Sequence, residues 1–301
     1  MKTLTINKKI INGDHLMGSF LDENSFDELI NYSCDVFDSS GILLAKFRKN
    51  ILTESKLLEC VENTRKSIVN MDNRGTASGK IDLQKTRFKR GELKEGNKTF
   101  FNIKSDGTKG KTRKGNMVLN GIIGYMDRTT MMPYCRKTSF TKNEFEKFDK
   151  AIPFIKEVDS FYSELINEKW KIQKEYAKAT NKNYIISDTS FTTVTINKDF
   201  QTAVHKDAGD LKQGFGNLSC YKTKGCKGGY FVLPQWRIAF DLDNCDLLLV
   251  DVHQWHGNTP ITKESEEDER ISFVMYLREN ITKCLAPSKE LERVKRANNK
   301  L

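Results

Sequence analysis

The carboxyl-terminal half of the chain shows the pattern of a β-rich fold. Short β-branched or aromatic runs follow one another from residue 184 onward, separated by Gly, Asn, Asp and Pro. These runs are Tyr184–Ile186, Phe191–Ile196, Tyr230–Leu233, Arg237–Phe240, Leu247–Val250 and Ile271–Tyr276. Many short strands with turn signals between them are typical of a barrel or a jelly roll.

Helical periodicity is found in front of these strands. Between residues 54 and 69, apolar side chains recur near one face, at Leu57, Leu58, Val61 and Ile68. A second helical stretch runs from about 143 to 178, where apolar residues recur at three- and four-residue steps. Within it we predict a break or kink at Pro153 and a second helix from Phe161 to Ala179. The predicted fold class is therefore α+β, a jelly-roll core with N-terminal and flanking helices.

Charge is concentrated in one segment. Residues 80–114 hold twelve Lys or Arg and four Asp or Glu, which gives +8 of the chain's net +10. Glycines and the pair Phe100-Phe101 interrupt the charges, which is typical of a solvated, loop-rich insert with room for a hairpin. We predict three regions: residues 1–120, helical and basic loop-rich; the core, 121–285; and a basic C-terminal tail, 286–301.

Composition excludes several classes of protein. No apolar stretch approaches the ~20 residues of a membrane span, and the N-terminus lacks the apolar run of a secretory signal. Seven cysteines show no Cys-x-x-Cys spacing, which favours free thiols over a zinc site. We therefore expect an intracellular protein of a reducing compartment, the cytoplasm or the nucleus, and no obligate protein partner is evident.

The histidines carry the first sign of chemistry. In His205-Lys-Asp207, which follows a predicted strand, residues two apart point to the same face and can reach one metal ion. His256 comes after the most apolar strand, beside a Gly-Asn turn, and supplies a third ligand. Two His and one carboxylate with open positions are typical of non-haem Fe(II) oxygenases. His253 is the alternative third ligand; we favour His256 because it sits at the strand end.

A candidate cosubstrate site follows on the last predicted strand. Arg270 and Ser272 share a face and can together hold the distal carboxylate of 2-oxoglutarate. The competing interpretation of Arg270 is an ion pair with the acidic run 264–269. Arg278 lies on the same face, but eight residues further is ~26 Å at strand rise, so we expect it to lie too far from the metal.

Longer motifs resemble the oxygenase domain of the TET/J-binding-protein family. The resemblance is dense over the stretches Thr192–Leu218, Gly228–Pro234, Asp251–Pro260 and Arg270–Arg278. It extends more thinly to Asn73–Gly79, Gly124–Arg128 and Met132–Thr141, which are similar to the shorter viral, phage and algal members. The resemblance implies a double-stranded β-helix that uses Fe(II), 2-oxoglutarate and O2 to oxidise the 5-methyl group of a pyrimidine in DNA. A viral or phage origin would fit these shorter members.

The resemblance also implies roles for single residues. It makes His205, Asp207 and His256 the iron ligands and Arg270 the 2-oxoglutarate arginine, and it places Asp210 against a flipped base. Asn197 is a further candidate for cosubstrate binding. The alternative is a structural role at the end of the strand, with its side chain hydrogen-bonded within the fold. Arg136 is a candidate for bracing the base or a phosphate; the alternative is that it forms a plain ion pair. Asp210 accepts from cytosine or thymine alike, so 5-methylcytosine is only slightly favoured, on family grounds.

The basic segment then has a use. A methyl group inside a duplex is out of reach of a buried iron, so we expect the base to be flipped and the phosphates to be held. Candidate phosphate contacts are Lys109, Lys111, Arg113 and Lys114. Phe100 and Phe101 are candidates for a stacking wedge or for hairpin core. Two other functions stay open: an oxygenase acting on RNA or free nucleotides, and a non-catalytic basic DNA-binding module.

Overall fold

The computed structural model describes residues 2–79, 100–103, 109–129 and 132–298, with the backbone alone at 100–103, 109–114 and 297–298. In this part of the chain the helices are α1 Glu54–Thr64, α2 Ser139–Asn143, α3 Phe145–Leu165, α4 Asn167–Ala179 and α5 Pro287–Asn298. The first strands are β1 Lys2–Ile6, β2 Glu28–Ile30, β3 Cys34–Asp38, β4 Leu43–Arg48, β5 Val69–Met71, β6 Phe100–Ile103, β7 Lys109–Lys114, β8 Val118–Met126 and β9 Arg136–Lys137. The later strands are β10 Thr193–Lys198, β11 Gly216–Lys222, β12 Cys226–Gly228, β13 Phe231–Leu233, β14 Ile238–Phe240, β15 Leu247–Val250, β16 Gly257–Asn258, β17 Ile261–Lys263 and β18 Arg270–Tyr276.

Two sheets pack face to face. The large sheet has the order β1-β3-β4-β15-β11-β18-β10-β8-β5, with β9 paired to β8, and the small sheet has the order β16-β13-β14-β2. Apolar side chains from both sheets form one buried cluster, in which Phe47 of β4 meets Phe240 of β14 edge to face at 5.7 Å. The predicted α+β class with a jelly-roll core is confirmed.

The helices cover the other face of the large sheet. Phe154 of α3 packs against Phe273 of β18, with ring centroids 5.8 Å apart. Strand β18 alternates as a pleated strand must: Ile271, Phe273 and Met275 are buried in the helix-covered core, while Arg270 faces the space between the sheets. The chain therefore places polar side chains of β18, an interior strand of the large sheet, between the two sheets of the jelly roll.

The N-terminal region differs from the prediction. Residues 1–120 were expected to be helical and loop-rich, but they supply β1, β3, β4 and β5 to the large sheet and β2 to the small one. The predicted boundary at 120 falls inside β8. In the basic segment β6 and β7 pair antiparallel, as a hairpin requires, while the side chains of Phe100, Phe101 and 109–114 lie outside the described residues.

Two local predictions were wrong, and a third was wrong in part. Pro153 lies inside α3 without ending it, so the predicted break is absent. The helices separate at Ile166 rather than near Phe161. The run Tyr184–Ile186 was predicted to be a strand, but Tyr184 ends a 3₁₀ turn and the next two residues are not in a strand; Tyr184 and Ile186 are buried all the same.

The expectation of free thiols holds for five of the seven cysteines and is corrected for the other two, which form a disulfide. Cys135 and Cys284 are joined, with their Cα atoms 5.8 Å apart and 149 positions between them in sequence. No spacing motif signals a pair so distant, so the sequence could not reveal it. The basic C-terminal region, 286–301, contains the helix α5, whose Glu290 accepts hydrogen bonds from the backbone of Cys135 and Leu285 and pairs with Arg128.

Membrane insertion finds no support in the helices. Within the described ranges, none is both long enough and apolar enough to cross a bilayer.

Candidate active site

A cavity of about 360 Å³ opens between the two sheets. One wall is the inward face of β18 and its continuation, which presents Arg270, Ser272, Val274, Tyr276 and Arg278 at every second position. The other walls come from β10, from the loop after it, and from the small sheet.

Three predicted metal ligands meet in this cavity. His205 and His256 are held side by side by a pair of backbone hydrogen bonds, 2.9 and 3.0 Å long. The Nε2 atom of His205 lies 3.5 Å from one oxygen of Asp207, and that of His256 lies 3.7 Å from the other. One donor atom from each of the three side chains falls within 4.8 Å of the other two. They form a compact triangle with the size of a metal site.

Hydrogen bonds fix which nitrogen of each histidine faces the triangle. Nδ1 of His205 is 2.8 Å from the carbonyl of Ala203, and Nδ1 of His256 is 2.9 Å from the carbonyl of Gln254. Each ring donates its Nδ1 hydrogen to a carbonyl, so each Nε2 keeps a lone pair for a metal. Phe231 stacks on His256 at 5.3 Å and holds the ring from behind.

The charge states suit a divalent cation. Burial, with the neighbouring His205, lowers the pKa of His256 to about 4, so this imidazole is neutral near pH 7. Burial alone would raise the pKa of Asp207, but the hydrogen bond and charge of His205, with the charges of His256 and Arg74, hold that pKa below its ordinary range. The cluster therefore offers a neutral imidazole at His256 and a carboxylate at Asp207, beside the ring of His205.

His253 lies away from the triangle. Its Nδ1 is 3.2 Å from Asp251, whose hydrogen bond raises the pKa of this imidazole. It does not line the cavity. Of the two candidates, the structure therefore brings His256 to His205 and Asp207.

Arg270 is buried at one end of the cavity. Its Nε has no hydrogen-bond partner within the described structure. The alternative interpretation, an ion pair of Arg270 with the acidic run 264–269, finds no such pair in the described structure. The nearest acid in sequence, Glu269, accepts hydrogen bonds at Oε2 from Nη1 of Arg65 at 2.8 Å and from Nζ of Lys198 at 2.7 Å. A buried guanidinium nitrogen without a partner is costly, so this position fits an anionic ligand.

Ser272 and Asn197 flank Arg270. They are directly opposite each other on β18 and β10, and both line the cavity. The side-chain oxygen of Asn197 accepts a 2.7 Å hydrogen bond from Asn120, which leaves its amide hydrogens for the cavity. The two residues thus offer a hydroxyl and an amide near the arginine.

The far end of the cavity holds Asp210 and Arg278. The two residues form a backbone bridge, and the cavity extends along the strand to Arg278, at the end away from Arg270. Arg278 donates to Asp127 at 2.6 Å. Burial and the charge of Asp207 raise the pKa of Asp210 well above its ordinary value. Arg136 does not line the cavity; it donates to the carbonyl of Asp127 at 3.0 Å and so braces this pair from outside.

Sequence reasoning missed Arg74 and Tyr276, which also line the cavity. Arg74 has a buried Nε without a partner among the described residues. The signal for Tyr276 was present, since the period-two face of Arg270 and Ser272 continues to it. Arg74 lies in the motif Asn73–Gly79, where the family resemblance is the only signal that the sequence offers.

The residues that line the cavity fit the two groups that the sequence predicts, Fe(II) and 2-oxoglutarate. The triangle has the donor set of an Fe(II) site, and the unpartnered Nε of Arg270 suits the carboxylate of an oxo-acid. Both lie in one cavity.

Comparisons with known proteins agree with this geometry. Residues 121–279 match the Tet_JBP family, described as the oxygenase domain of the 2OGFeDO superfamily. The bifunctional helicase and thymine dioxygenase JBP2 of Leishmania braziliensis is 33% identical over 180 residues, covering 59% of this chain and 16% of that protein. The thymine dioxygenase JBP1 of the same organism is 34% identical over 168 residues, covering 54% and 20%. The matched segments thus cover less than a quarter of the length of these curated relatives.

A solved structure shares the fold over nearly the whole chain. NgTET1, solved in complex with 5mC DNA, superposes with a TM-score of 0.58 at 13% identity, covering 98% of this chain and 90% of that one.

Proposed function

Because the chain belongs to the Tet_JBP family, the oxygenase domain of the 2OGFeDO superfamily, we propose that it is an Fe(II)- and 2-oxoglutarate-dependent dioxygenase that hydroxylates the 5-methyl group of a pyrimidine in DNA. The observation that carries the proposal is the cavity in which His205, Asp207 and His256 converge while Arg270 keeps a buried nitrogen without a partner. Metal ligands and an anion site in one cavity are what the reaction requires.

The protein's own residues bind and orient the reactants. Nε2 of each histidine and an oxygen of Asp207 would hold the iron, and the carbonyls of Ala203 and Gln254 keep both rings turned toward it. Arg270 and Ser272 would hold the distal carboxylate of 2-oxoglutarate, and Asn197 would donate an amide hydrogen to the same cosubstrate. When bound, the iron, cosubstrate and O2 supply an oxidant that breaks a methyl C–H bond, which no acid or base of the protein can do.

The other end of the cavity would receive the base. Asp210, Arg278 and Tyr276 line it and offer a carboxyl group, a cation and an aromatic ring. A base can reach this depth only when it leaves the duplex, so flipping is part of the proposal. Arg136, placed outside the cavity, would brace this end through Asp127 rather than touch the base.

Two bases carry such a methyl group. The curated relatives are named as thymine dioxygenases, whereas the solved fold neighbour contains 5mC DNA. Thymine therefore has to be tested beside the 5-methylcytosine that the motifs slightly favoured.

The test measures products rather than binding. The protein is incubated with Fe(II), 2-oxoglutarate and matched duplexes that carry thymine or 5-methylcytosine, and the DNA is digested to nucleosides for mass spectrometry. We expect a gain of one oxygen on one of the two bases, with stoichiometric succinate, and neither product from Asp207→Ala. Succinate without any oxidised DNA base would contradict the proposed substrate, and RNA and free nucleotides would then be assayed.

A further inference from the structure

Phe20 stands exposed beside the open side of the cavity. Its side chain is 53% exposed, although the neighbouring Leu21 is buried and packs in the cluster under the small sheet. The exposed residues that line the cavity, Asn73 and Lys206, mark the side on which it opens.

Hydrogen bonds place Phe20 at this rim. The amide of Gly18 donates to the carbonyl of Val204 at 2.8 Å, and the amide of Val204 donates to the carbonyl of Ser19 at 2.8 Å. On the far side, Gln201 donates to the carbonyl of Leu21 at 3.0 Å. The segment 18–21 is therefore tied to the loop that carries His205, and the ring is presented on a fixed backbone.

A glycine makes room for the ring. A Cβ atom at Gly79 would lie 2.5 Å from Cζ of Phe20, so only glycine allows the ring to lie here. Gly79 is two residues from Ala77, which lines the cavity and whose carbonyl accepts a 2.9 Å hydrogen bond from Ala203. The ring thus lies against the same loop that forms the cavity wall.

The cavity beside the ring carries cations. Arg74 and Lys206 line it, and Lys206 is held over the ring of Trp255 at 4.7 Å. The carboxylate of Asp22, two residues from Phe20, is occupied as the cap of the turn Glu23–Ser25. An exposed aromatic ring beside a cavity that carries cations suits a stacked base whose phosphates need a positive charge.

We propose that Phe20 is the wedge that enters the duplex beside the target base and stacks in the space that base leaves. The proposal rests on the proposed function, in which a base is flipped. An apolar or aromatic side chain inserted at a base step lowers the cost of unstacking, because the neighbouring bases keep a partner. The sequence suggested Phe100 and Phe101 for this role, but their side chains lie outside the described residues. Phe20 is a candidate whose position the structure gives.

The test compares Phe20→Ala with a matched control. Phe145 is 52% exposed and does not line the cavity, so Phe145→Ala removes an equally exposed ring from α3. Each variant is titrated with a duplex that carries 2-aminopurine in place of the target pyrimidine, because the fluorescence of this base rises when it leaves the stack. We expect wild type, Phe145→Ala and Phe20→Trp to raise the fluorescence, and Phe20→Ala to need roughly 5- to 100-fold more protein, the range that stacking of one base supports.

The outcomes separate this proposal from the proposed function. If Phe20→Ala opens the stack and binds the duplex as wild type does, Phe20 is not the wedge. The wedge is likewise excluded if wild type binds the duplex without any fluorescence change. If fluorescence depends on Phe20 but no base is oxidised, the wedge stands and the proposed chemistry fails. Cosubstrate turnover without DNA should equal that of wild type in Phe20→Ala, which verifies that this variant is folded.

Discussion

Gly229 is the position at which a single methyl group should impair the cosubstrate site. Its φ is +68°, and a Cβ added to it would lie 2.9 Å from Nε and 3.0 Å from Cδ of Arg270. The backbone cannot retreat easily, because the amide of Gly229 donates to the carbonyl of Pro260 at 2.8 Å. In Gly229→Ala the guanidinium must therefore move.

Two costs follow, and they act on different measurements. An L-residue in the left-handed region loses about 1–2 kcal/mol of folding stability. A hydrogen bond to a charged group contributes about 1.5–3 kcal/mol, so full loss of the Arg270 contact would raise the KM for 2-oxoglutarate by roughly 10- to 100-fold. In Gly229→Ala the side chain of Arg270 is displaced rather than removed, so we expect the KM to rise by roughly 10-fold. In Arg270→Ala the contact is lost entirely, so we expect a rise of roughly 100-fold.

Gly41 provides the control. It has φ +80° and no atom within 4 Å of an added Cβ, so Gly41→Ala carries the backbone cost alone. The assay combines chemical denaturation with succinate formation measured over a range of 2-oxoglutarate concentrations. Gly229→Ala should lose at least as much stability as Gly41→Ala, since it adds a steric cost to the backbone cost, and only Gly229→Ala should show a raised KM.

One result would refute this reasoning. If the KM of Gly229→Ala equals that of Gly41→Ala while Arg270→Ala raises it strongly, the guanidinium adapts to the methyl group and the close approach has no functional consequence. If Arg270→Ala leaves the KM unchanged and lowers only DNA affinity, Arg270 contacts phosphate instead.

Two further predictions concern the metal and the DNA. His256→Ala should lose iron in a metal titration while His253→Ala retains it, because Nδ1 of His253 is turned to Asp251; the reverse order would show that the wrong histidine was chosen. The second change neutralises four basic residues together: Lys109, Lys111, Arg113 and Lys114. It should weaken binding to every DNA sequence alike and flatten the salt dependence of binding by at most ~0.9 in log–log slope per lost phosphate contact. An unchanged slope would mean that the basic segment does not touch DNA.

Local patterns were enough to predict much of the site. The family and the jelly-roll core predicted from the motifs are confirmed. The His-x-Asp pair could be read directly, since residues two apart share a face of an extended chain. The choice of His256 followed from its place at a strand end, and the structure brings it to His205 and Asp207.

Long-range contacts could not be predicted in this way. Arg278 was judged by distance along one strand, yet Asp210 returns to it through a backbone bridge. The pairing of Cys135 with Cys284 is equally non-local, as is the entry of the N-terminal strands into both sheets. Each of these depends on which elements meet in space, and periodicity carries no information about that.

The position of β18 limits how the cavity can change. The strand is hydrogen-bonded on both sides, to β10 and to β11, and its alternate residues line the cavity. One inserted residue would turn every following side chain to the opposite face, burying arginines against the helices unless a bulge absorbed it. Substitution at any single lining position leaves the others in place. Such a cavity can therefore change by substitution at one lining position at a time, whereas a single inserted residue preserves the lining only where a bulge absorbs it.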